Sequence, residues 1–511
     1  MPEPWILAID LGTGGAKTGA VSLQGKLLGC APAQAIRTEY LPGGGAVQDP
    51  NSWWEAVRAG VLATLQTDGV DARDLAGVGI TGQWGSTVPV GRDGQPVGAC
   101  MLWADTRGGP FAARAMGGRL SLFGYSPGNL VRWMQITGGA PSPHGADPLG
   151  HELYLRNREP RTYEQAATLL EPLDYLGLRL TGRTVATPAS MVLSWLNDNR
   201  PNARPGYVRE LVRRSGRDPD RLPPLIATGS VIGDVLPEVA ADLGVPSVPV
   251  VAGIPDLHAA YLGSGAVAPF ETHMTISTTA WIACAVPFKR TDVLHQMASV
   301  PGVVPHSYLV ANNHETAGLC LQWLRDSLTA GGYDEMCAAA AGVPAGSEGV
   351  MFTPWLNGER TPVEDRTLRA AFLNLSLKTG RAHMIRAVME GVAFNARWLL
   401  DAVEKFVRRP IPSLRILGGG AQSGLWCQIH ADILGRRIER IADPMYASMH
   451  GAGLFAAMCL GKIALEDVPD LVHVTDTYEP DPAARAVYEP MYAEFKLFYG
   501  ALRGSYARLN R

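Results

Sequence analysis

Short apolar runs, each broken by glycine or a polar residue, set the rhythm of this chain. Trp5–Ile9 is solidly apolar and ends in Asp10-Leu-Gly-Thr-Gly-Gly. A looser alternation follows from Lys17 to Leu23, Gln24-Gly25 supplies a turn, and Lys26–Gly29 resumes the extended pattern. That spacing predicts a hairpin-rich opening rather than strand–loop–helix. Gly77–Gly82 predicts a second strand feeding a loop at Gln83–Ser86, and Tyr163–Leu180 predicts helix. The Pro-, Arg- and Asp-rich stretch 141–224 that contains this helix reads as a cap or insertion on the first core. Near Val245 the texture restarts. Val248–Ile254 predicts a buried strand, Pro255-Asp256 opens a helix through Leu262, and Thr275–Val286 is again strand-like. Met384–Phe406 predicts a long helix with Ile385, Val388, Val392, Leu399, Val403 and Phe406 on one stripe. Leu414–Leu417 predicts a strand running into Gly418-Gly-Gly-Ala-Gln-Ser423, with Ser423 capping a helix that ends at Leu434 before Gly435. The restart divides the chain into two halves of similar α/β design, 1–248 and 249–511.

Composition narrows the class. At 511 residues, 46% hydrophobic and 18% charged, the chain has the material for more than one core, and wholesale disorder is excluded. A net charge of −3 gives no general attraction to nucleic acid or anionic lipid. The charge-free stretch Thr272–Phe288 carries Ser, Thr, His and a proline, and so falls short of a membrane span. Seven scattered cysteines without a CxxC favour a reducing, cytoplasmic setting. Eleven histidines without HExxH or HxxxH point away from a structural metal.

Three segments carry candidate chemistry. Asp10 at a strand end, followed by Gly12, Thr13, Gly14 and Lys17, suits a metal ion and phosphate oxygens; it equally suits a tight hairpin with Asp as a local cap. It is not a Walker A loop, because Ala16 precedes the lysine where that motif needs glycine. Gly418, Gly419, Gly420, Ala421 and Gln422 lie between strand and helix, fit for a phosphate or flat ligand or for a plain turn. Asp256 stands at a strand-to-helix junction, either as a base held ionised by the helix dipole or as an ordinary cap.

Taken in order, Asp10-x-Gly-Thr, Gln48-Asp-Pro50 with Trp53-Trp54, Gly79–Gln83, Trp103-x-Asp105-x-Arg107 and Pro172-x-Asp174-Tyr-Leu176 form the first part of a pattern. Gly253-x-x-Asp256-x-x-Ala-Ala260, Gly358-Glu-Arg-Thr-Pro362, Gly418–Ser423 and Gly451-Ala452 complete it. The set resembles the FGGY carbohydrate kinases, most closely their xylulokinase-like branch. The resemblance implies an α/β fold of two actin-like (ribonuclease-H-like) domains with an interdomain cleft. It implies transfer of the ATP γ-phosphoryl group to a sugar or polyol hydroxyl, with Mg²⁺ as cofactor. Asp256 then corresponds to the catalytic base and Asp10 to the magnesium-side carboxylate. Gly12, Thr13, Gly14 and Lys17 match the first phosphate loop, Ser277, Thr278 and Thr279 the second, and Gly418, Gly419, Gly420, Ala421 and Gln422 the nucleotide turn. Gln83, Trp84, Trp103 and Asp105, with Asp256, match the acceptor side. Two departures stand out. Gly82-Gln-Trp-Gly-Ser86 replaces the family's Gly-Gln-Met-His-Gly, and Ser277 replaces a glycine. They keep two other readings in play, a non-catalytic sugar- or nucleotide-responsive regulator and an actin-like ATPase. Partners are a small sugar or polyol, with no nucleic acid or membrane; a homodimer is left open.

Overall fold

The computed structural model describes residues 3–118, 121, 124–201, 203–328 and 331–510; Met1, Pro2 and Arg511, ends of the expected halves, lie outside them. The chain forms two compact units. The first comprises residues 1–265, 300–308 and 448–471, the second 266–299, 309–447 and 472–511. The expected division at 248/249 is therefore displaced. Strand pairing explains it: the segments on either side of Val251 both pair in parallel with the first unit's sheet, which holds them and the helix that follows in that unit.

Unit 1 is built on β1 (Trp5–Gly12), β2 (Gly15–Ser22), β3 (Leu27–Cys30), β4 (Leu75–Gly82), β5 (Val231–Asp234) and β6 (Pro249–Val251). In space they run β3-β2-β1-β4-β6-β5. β1 pairs antiparallel with β2 along its whole length and parallel with β4, placing Asp10 opposite Lys17 on one side and Thr81 on the other. β1 is apolar throughout its first five residues because both faces are covered: Trp5, Ile6, Leu7, Ala8 and Ile9 are all fully buried. One cover is α1 (Pro50–Leu65), whose N-terminus is capped by the Asp49 side chain. On the same side α2 (Pro172–Thr181) adds Leu173, Tyr175 and Leu176 to that core, and the opposite side, at Gly77 and Gly79, meets Leu460, Ala452 and Ala456.

The cap differs from its expected limits. The predicted helix 163–180 is interrupted by a strand, Thr168–Leu170, that pairs with Val88–Val90, and Pro172 starts a new helix after it. Leu170 and the helix belong to the main core, whereas Met116, Trp133, Leu149, Leu153 and Leu211 form a satellite core of their own. The cap thus begins before 141 and is not continuous to 224.

Unit 2 repeats the plan. The strands of its sheet are β7 (Thr272–Ile276), β8 (Ala280–Val286), β9 (Met297–Pro301), β10 (Tyr308–Ala311), β11 (Ser413–Leu417), β12 (Arg437–Ile441) and β13 (Val474–Tyr478), of which Val300, Pro301 and Tyr308 are grouped with unit 1. With a two-residue edge strand, Thr291–Asp292, before β9, their order is β9-β10-β8-β7-β11-β12-β13. The run β7/β8 antiparallel, β7/β11 parallel, β11/β12 parallel and β12/β13 antiparallel reproduces β1/β2, β1/β4, β4/β6 and β6/β5. The long helix of this unit, Arg381–Val407, buries all six residues of the expected stripe.

One helix closes unit 1 from far along the chain. In Ala447–Cys459, a Cβ on Gly451 would stand 1.8 Å from the Ala259 carbonyl oxygen, so only glycine allows the helix this close to residues 256–263. Replacing Gly451 by alanine is expected to lower the unfolding free energy by about 3 kcal/mol, read as a fall in the denaturant midpoint. An unchanged midpoint would contradict this contact.

Candidate active site

Ten of the residues singled out from the sequence lie in unit 1, and most converge on the ends of β1 and β4. Asp10, 5% exposed, ends the buried part of β1, and Lys17 reaches across the hairpin to within 3.4 Å of its Oδ2. Thr13-Gly14 is the two-residue tip of that hairpin, with Gly14 exposed and Gly12 and Gly15 paired beneath it. On the other side, Ile254 pairs with Thr81 and Pro255 with Gly82, so the row Asp10–Thr81–Ile254 crosses three strands. Thr81 fastens the row by donating its hydroxyl to the Ile254 carbonyl at 2.8 Å. The next residue after Pro255 is Asp256, first residue of a helix, Asp256–Gly263, whose Leu257 N–H donates to its Oδ1 at 2.7 Å.

Asp256 is the most perturbed carboxyl of this group. Desolvation first, and the Asp10 charge second, raise its pKa to about 7, against a smaller opposite effect from the Leu257 N–H. Its proximity to Asp10 follows from the strand row just described.

Thr13, Gln83 and Trp103 meet directly. The Thr13 hydroxyl donates to Gln83 Oε1 at 3.0 Å and accepts from the Trp103 indole N–H at 3.1 Å. Gln83 is held in turn by its backbone N–H, which donates to the Leu11 carbonyl at 2.9 Å. Trp84 packs against the main core and lies edge-on to His258, 6.1 Å between centroids. Part of its ring is therefore committed to packing, although the residue remains partly exposed.

Asp105 does not join this group. It is fully buried, accepts from the Ala46 N–H at 3.0 Å, and is gripped by Arg107, whose Nη2 lies at 2.7 Å. Its oxygens are spent on holding the loop that carries Trp103. The Trp-x-Asp-x-Arg spacing already contained that signal, since an acid and an arginine two apart can pair locally. Two residues without an assigned role enter instead. Gln48, 2% exposed, accepts from Gln83 Nε2 at 3.1 Å. Glu171 Oε2 accepts from the Ser86 N–H at 3.1 Å, and burial pushes its carboxyl well above the usual range. Ser86 Oγ accepts from the Trp103 N–H at 3.1 Å, which fixes the two acceptor-side loops to each other.

Unit 2 brings the other two segments together. Ser277, Thr278 and Thr279 form the turn between β7 and β8, with Thr278 exposed at its tip. Parallel pairing of β7 with β11 sets Gly418 beside it. Gly418 has φ +88°, and a Cβ there would stand 2.4 Å from the Ile276 carbonyl and 2.9 Å from Ser277 Oγ. Gly419 opens onto free space, Ala421 is buried, and the Gln422 carbonyl accepts from Arg440 at 3.2 Å. Ser423 caps the following helix, Gly424–Leu434, through the Trp426 N–H, as its sequence position implied.

Residues 5–263 match the N-terminal domain of the FGGY family of carbohydrate kinases, and residues 275–460 match the C-terminal domain. This chain belongs to that family. The xylulose kinase of Staphylococcus epidermidis is 29% identical over 98% of this chain and 97% of its own. Two solved structures from Lactobacillus acidophilus superpose equally well, each with a TM-score of 0.84 at 22% identity over 99% of this chain and all of the other. One is a gluconate kinase and the other a ligand-bound xylulose kinase. The neighbours thus confirm the expected actin-like, ribonuclease-H-like α/β fold, and that fold alone does not choose an acceptor. The chain is an FGGY carbohydrate kinase with xylulose kinase relatives, and the family's phosphoryl donor is ATP. Among the described residues no helix is long and apolar enough to cross a membrane.

The Asp256 shift makes a prediction about stability. Its folded pKa of about 7 lies above the ordinary unfolded value near 4, so between these pH values the folded state binds the extra proton. Stability therefore falls as pH rises through that window. With metal chelated, Asp256→Asn should melt close to the parent at pH 4.5. By pH 8 it should exceed the parent by of order 1–3 kcal/mol. A constant offset across that range would contradict the assignment.

Proposed function

We propose that this protein phosphorylates a ketose or polyol hydroxyl at the expense of ATP, with Asp256 as the base. The observation that carries the reading is the strand row that sets Asp256 beside Asp10 in the same unit as Gln83, Trp84 and Trp103. Phosphoryl transfer asks the protein chiefly to position reactants and offset charge. A carboxyl with a pKa of about 7 is matched to taking a proton at neutral pH. The acceptor hydroxyl gives its proton to Asp256 as its oxygen bonds to the γ-phosphorus; the bond to the β–γ bridging oxygen breaks, and ADP leaves. A proton transfer late in this sequence suits a loose transition state.

In unit 1 the hairpin tip Gly12–Gly14, with Lys17, is taken as a phosphate-contacting segment, and in unit 2, considered by itself, Ser277–Thr279 and Gly418–Gln422 are taken as phosphate- and nucleotide-contacting segments. Among the described residues no group of three or more His, Cys, Asp or Glu forms a metal cage. A single carboxylate fits Mg²⁺ nonetheless, because that ion keeps its waters and takes most other ligands from substrate phosphates. Asp10 would hold it, and when bound it supplies charge neutralisation at the phosphates. Asp105 acts in this reading through Trp103, by fixing its loop, rather than by touching the acceptor. The seven scattered cysteines without a CxxC support a reducing, cytoplasmic setting.

The test is ADP release across D-xylulose, D-ribulose, L-xylulose, gluconate and glycerol. Acceptor-dependent turnover is expected, and Asp256→Asn should reduce it by about 10²–10⁴-fold. ATP turnover indifferent to every acceptor, or a variant within tenfold of the parent, would sink the proposal. A second expectation concerns specificity. Gly85 has no side chain, Ser86 Oγ faces the Trp103 N–H, and Trp84 is tied to His258, so the loop offers no counterpart to the family's imidazole. An acceptor other than D-xylulose should therefore have the highest kcat/KM. A preference for D-xylulose of about tenfold or more would show that the loop does not set selectivity.

A further inference from the structure

The hydrogen bonds around Thr13 close into a ring. Thr13 Oγ1 donates to Gln83 Oε1, Gln83 Nε2 donates to Gln48 Oε1, and Gln48 Nε2 donates back to the Thr13 carbonyl at 2.7 Å. Three further contacts brace it. Trp103 Nε1 donates to Thr13 Oγ1, Trp53 Nε1 donates to Gln48 Oε1 at 2.9 Å, and Gln48 Nε2 also reaches Thr38 Oγ1 at 2.9 Å.

Counting donors and acceptors fixes the directions. Turning the Gln48 amide over would set its NH₂ against the Trp53 N–H and its oxygen against the Thr13 carbonyl, two repulsive contacts in a buried place. Gln48 in its present orientation uses both N–H groups and its oxygen twice. Turning Gln83 over would oppose two amide oxygens. The ring therefore has one consistent arrangement, and in it the single proton of the Thr13 hydroxyl is spent on Gln83. A hydroxyl so engaged has none left for a phosphate oxygen unless the ring breaks.

We propose that the Thr13 hydroxyl serves the acceptor side rather than the phosphates, and that Gln48 is the positioning residue of this ring, joining the hairpin tip to Gln83 and Trp103. The inference rests on the reading of Gln83 and Trp103 as acceptor-side residues. The backbone of the tip stays free to approach the donor, while its one side-chain hydroxyl sets where Gln83 and Trp103 stand. Gln48 touches neither reactant; it holds the tip and Gln83 at a fixed separation.

The experiment uses Thr13→Val, Thr13→Ser, Gln48→Met and the Thr13→Val/Gln48→Met pair in the full chain. KM for the acceptor and for Mg·ATP is measured with the best of the five compounds named above, and folding is checked by near-ultraviolet dichroism. Thr13→Val and Gln48→Met are each expected to raise the acceptor KM about tenfold or more, with the Mg·ATP KM within about threefold of the parent. Thr13→Ser should restore both values, and the double variant should be no worse than the poorer single one, since one ring is broken once. A Mg·ATP KM that rises while the acceptor KM stays put would overturn the proposal, as would fully additive effects. Should Thr13→Val fail to fold, Gln48→Met with Thr13→Ser decides by the same two constants. A parent without acceptor-dependent turnover would instead bring down the kinase reading, and this inference with it; that result appears before any variant is compared.

Discussion

The parallel pairing of β1 with β4 sets the position of nearly every polar group at the candidate site. β1 has little freedom to slip, because a one-residue shift would take Trp5, Leu7, Ile9 and Leu11 out of the core they fill and put Ile6 and Ala8 in their place. Once that register is set, Asp10 must lie beside Thr81, and Gln83 must leave the sheet level with the hairpin tip. The short Ile254–Pro255 strand then extends the same row and delivers Asp256 at its end. The chemistry is thus located by apolar packing beneath it.

Charge balance at this edge is uneven. Asp10 has a lysine within 3.4 Å, whereas Asp256 has a single backbone N–H and the repulsion of Asp10. A group so placed stays neutral until something positive comes near or the pH rises. The remainder of the edge is different in kind: Thr13, Gln48, Gln83 and Trp103 satisfy one another without any net charge. Preorganised neutral dipoles beside a poorly compensated carboxyl are what the proposed reading, a hydroxylated acceptor giving up a proton, would call for.

Much of this was legible in the sequence, for identifiable reasons. The hairpin opening, the long amphipathic helix and the Ser423 cap depend on local periodicity and capping, and each stands where the pattern placed it. The ordered motifs carried the family. What local pattern did not carry was partnership over distance. The resemblance set Asp105 on the acceptor side, whereas Arg107 and the Ala46 N–H take its oxygens, and Gln48 stood in the Gln48-Asp-Pro50 motif without a role of its own until the fold brought Gln83 to it. Tyr163–Leu180 read as a single helix because its apolar residues suit either period over so short a run; pairing with Val88–Val90 made part of it a strand. The division between units was misplaced for the same reason, since strands at 249–255 gain their neighbours from β4, some 170 positions earlier in the chain.

The helix that carries Gly451 has a consequence for biosynthesis. Unit 1 is discontinuous: the segment 448–471 that seats against residues 256–263 is made only after most of unit 2. At ribosomal speeds of about 5–20 residues per second, roughly 10–40 seconds separate synthesis of the two contacting segments. During that interval the nascent first half carries an uncovered apolar face, while the second half has the opportunity to fold around its own hairpin. Neither unit is complete until late: 448–471 seals unit 1, and unit 2 then waits for 472–511, whose strand pairs with β12 and whose helix buries Tyr488 and Phe495. A truncation just before residue 448 would accordingly strip unit 1 of this covering helix, and would also take β13 and the helix Pro482–Leu509 from unit 2.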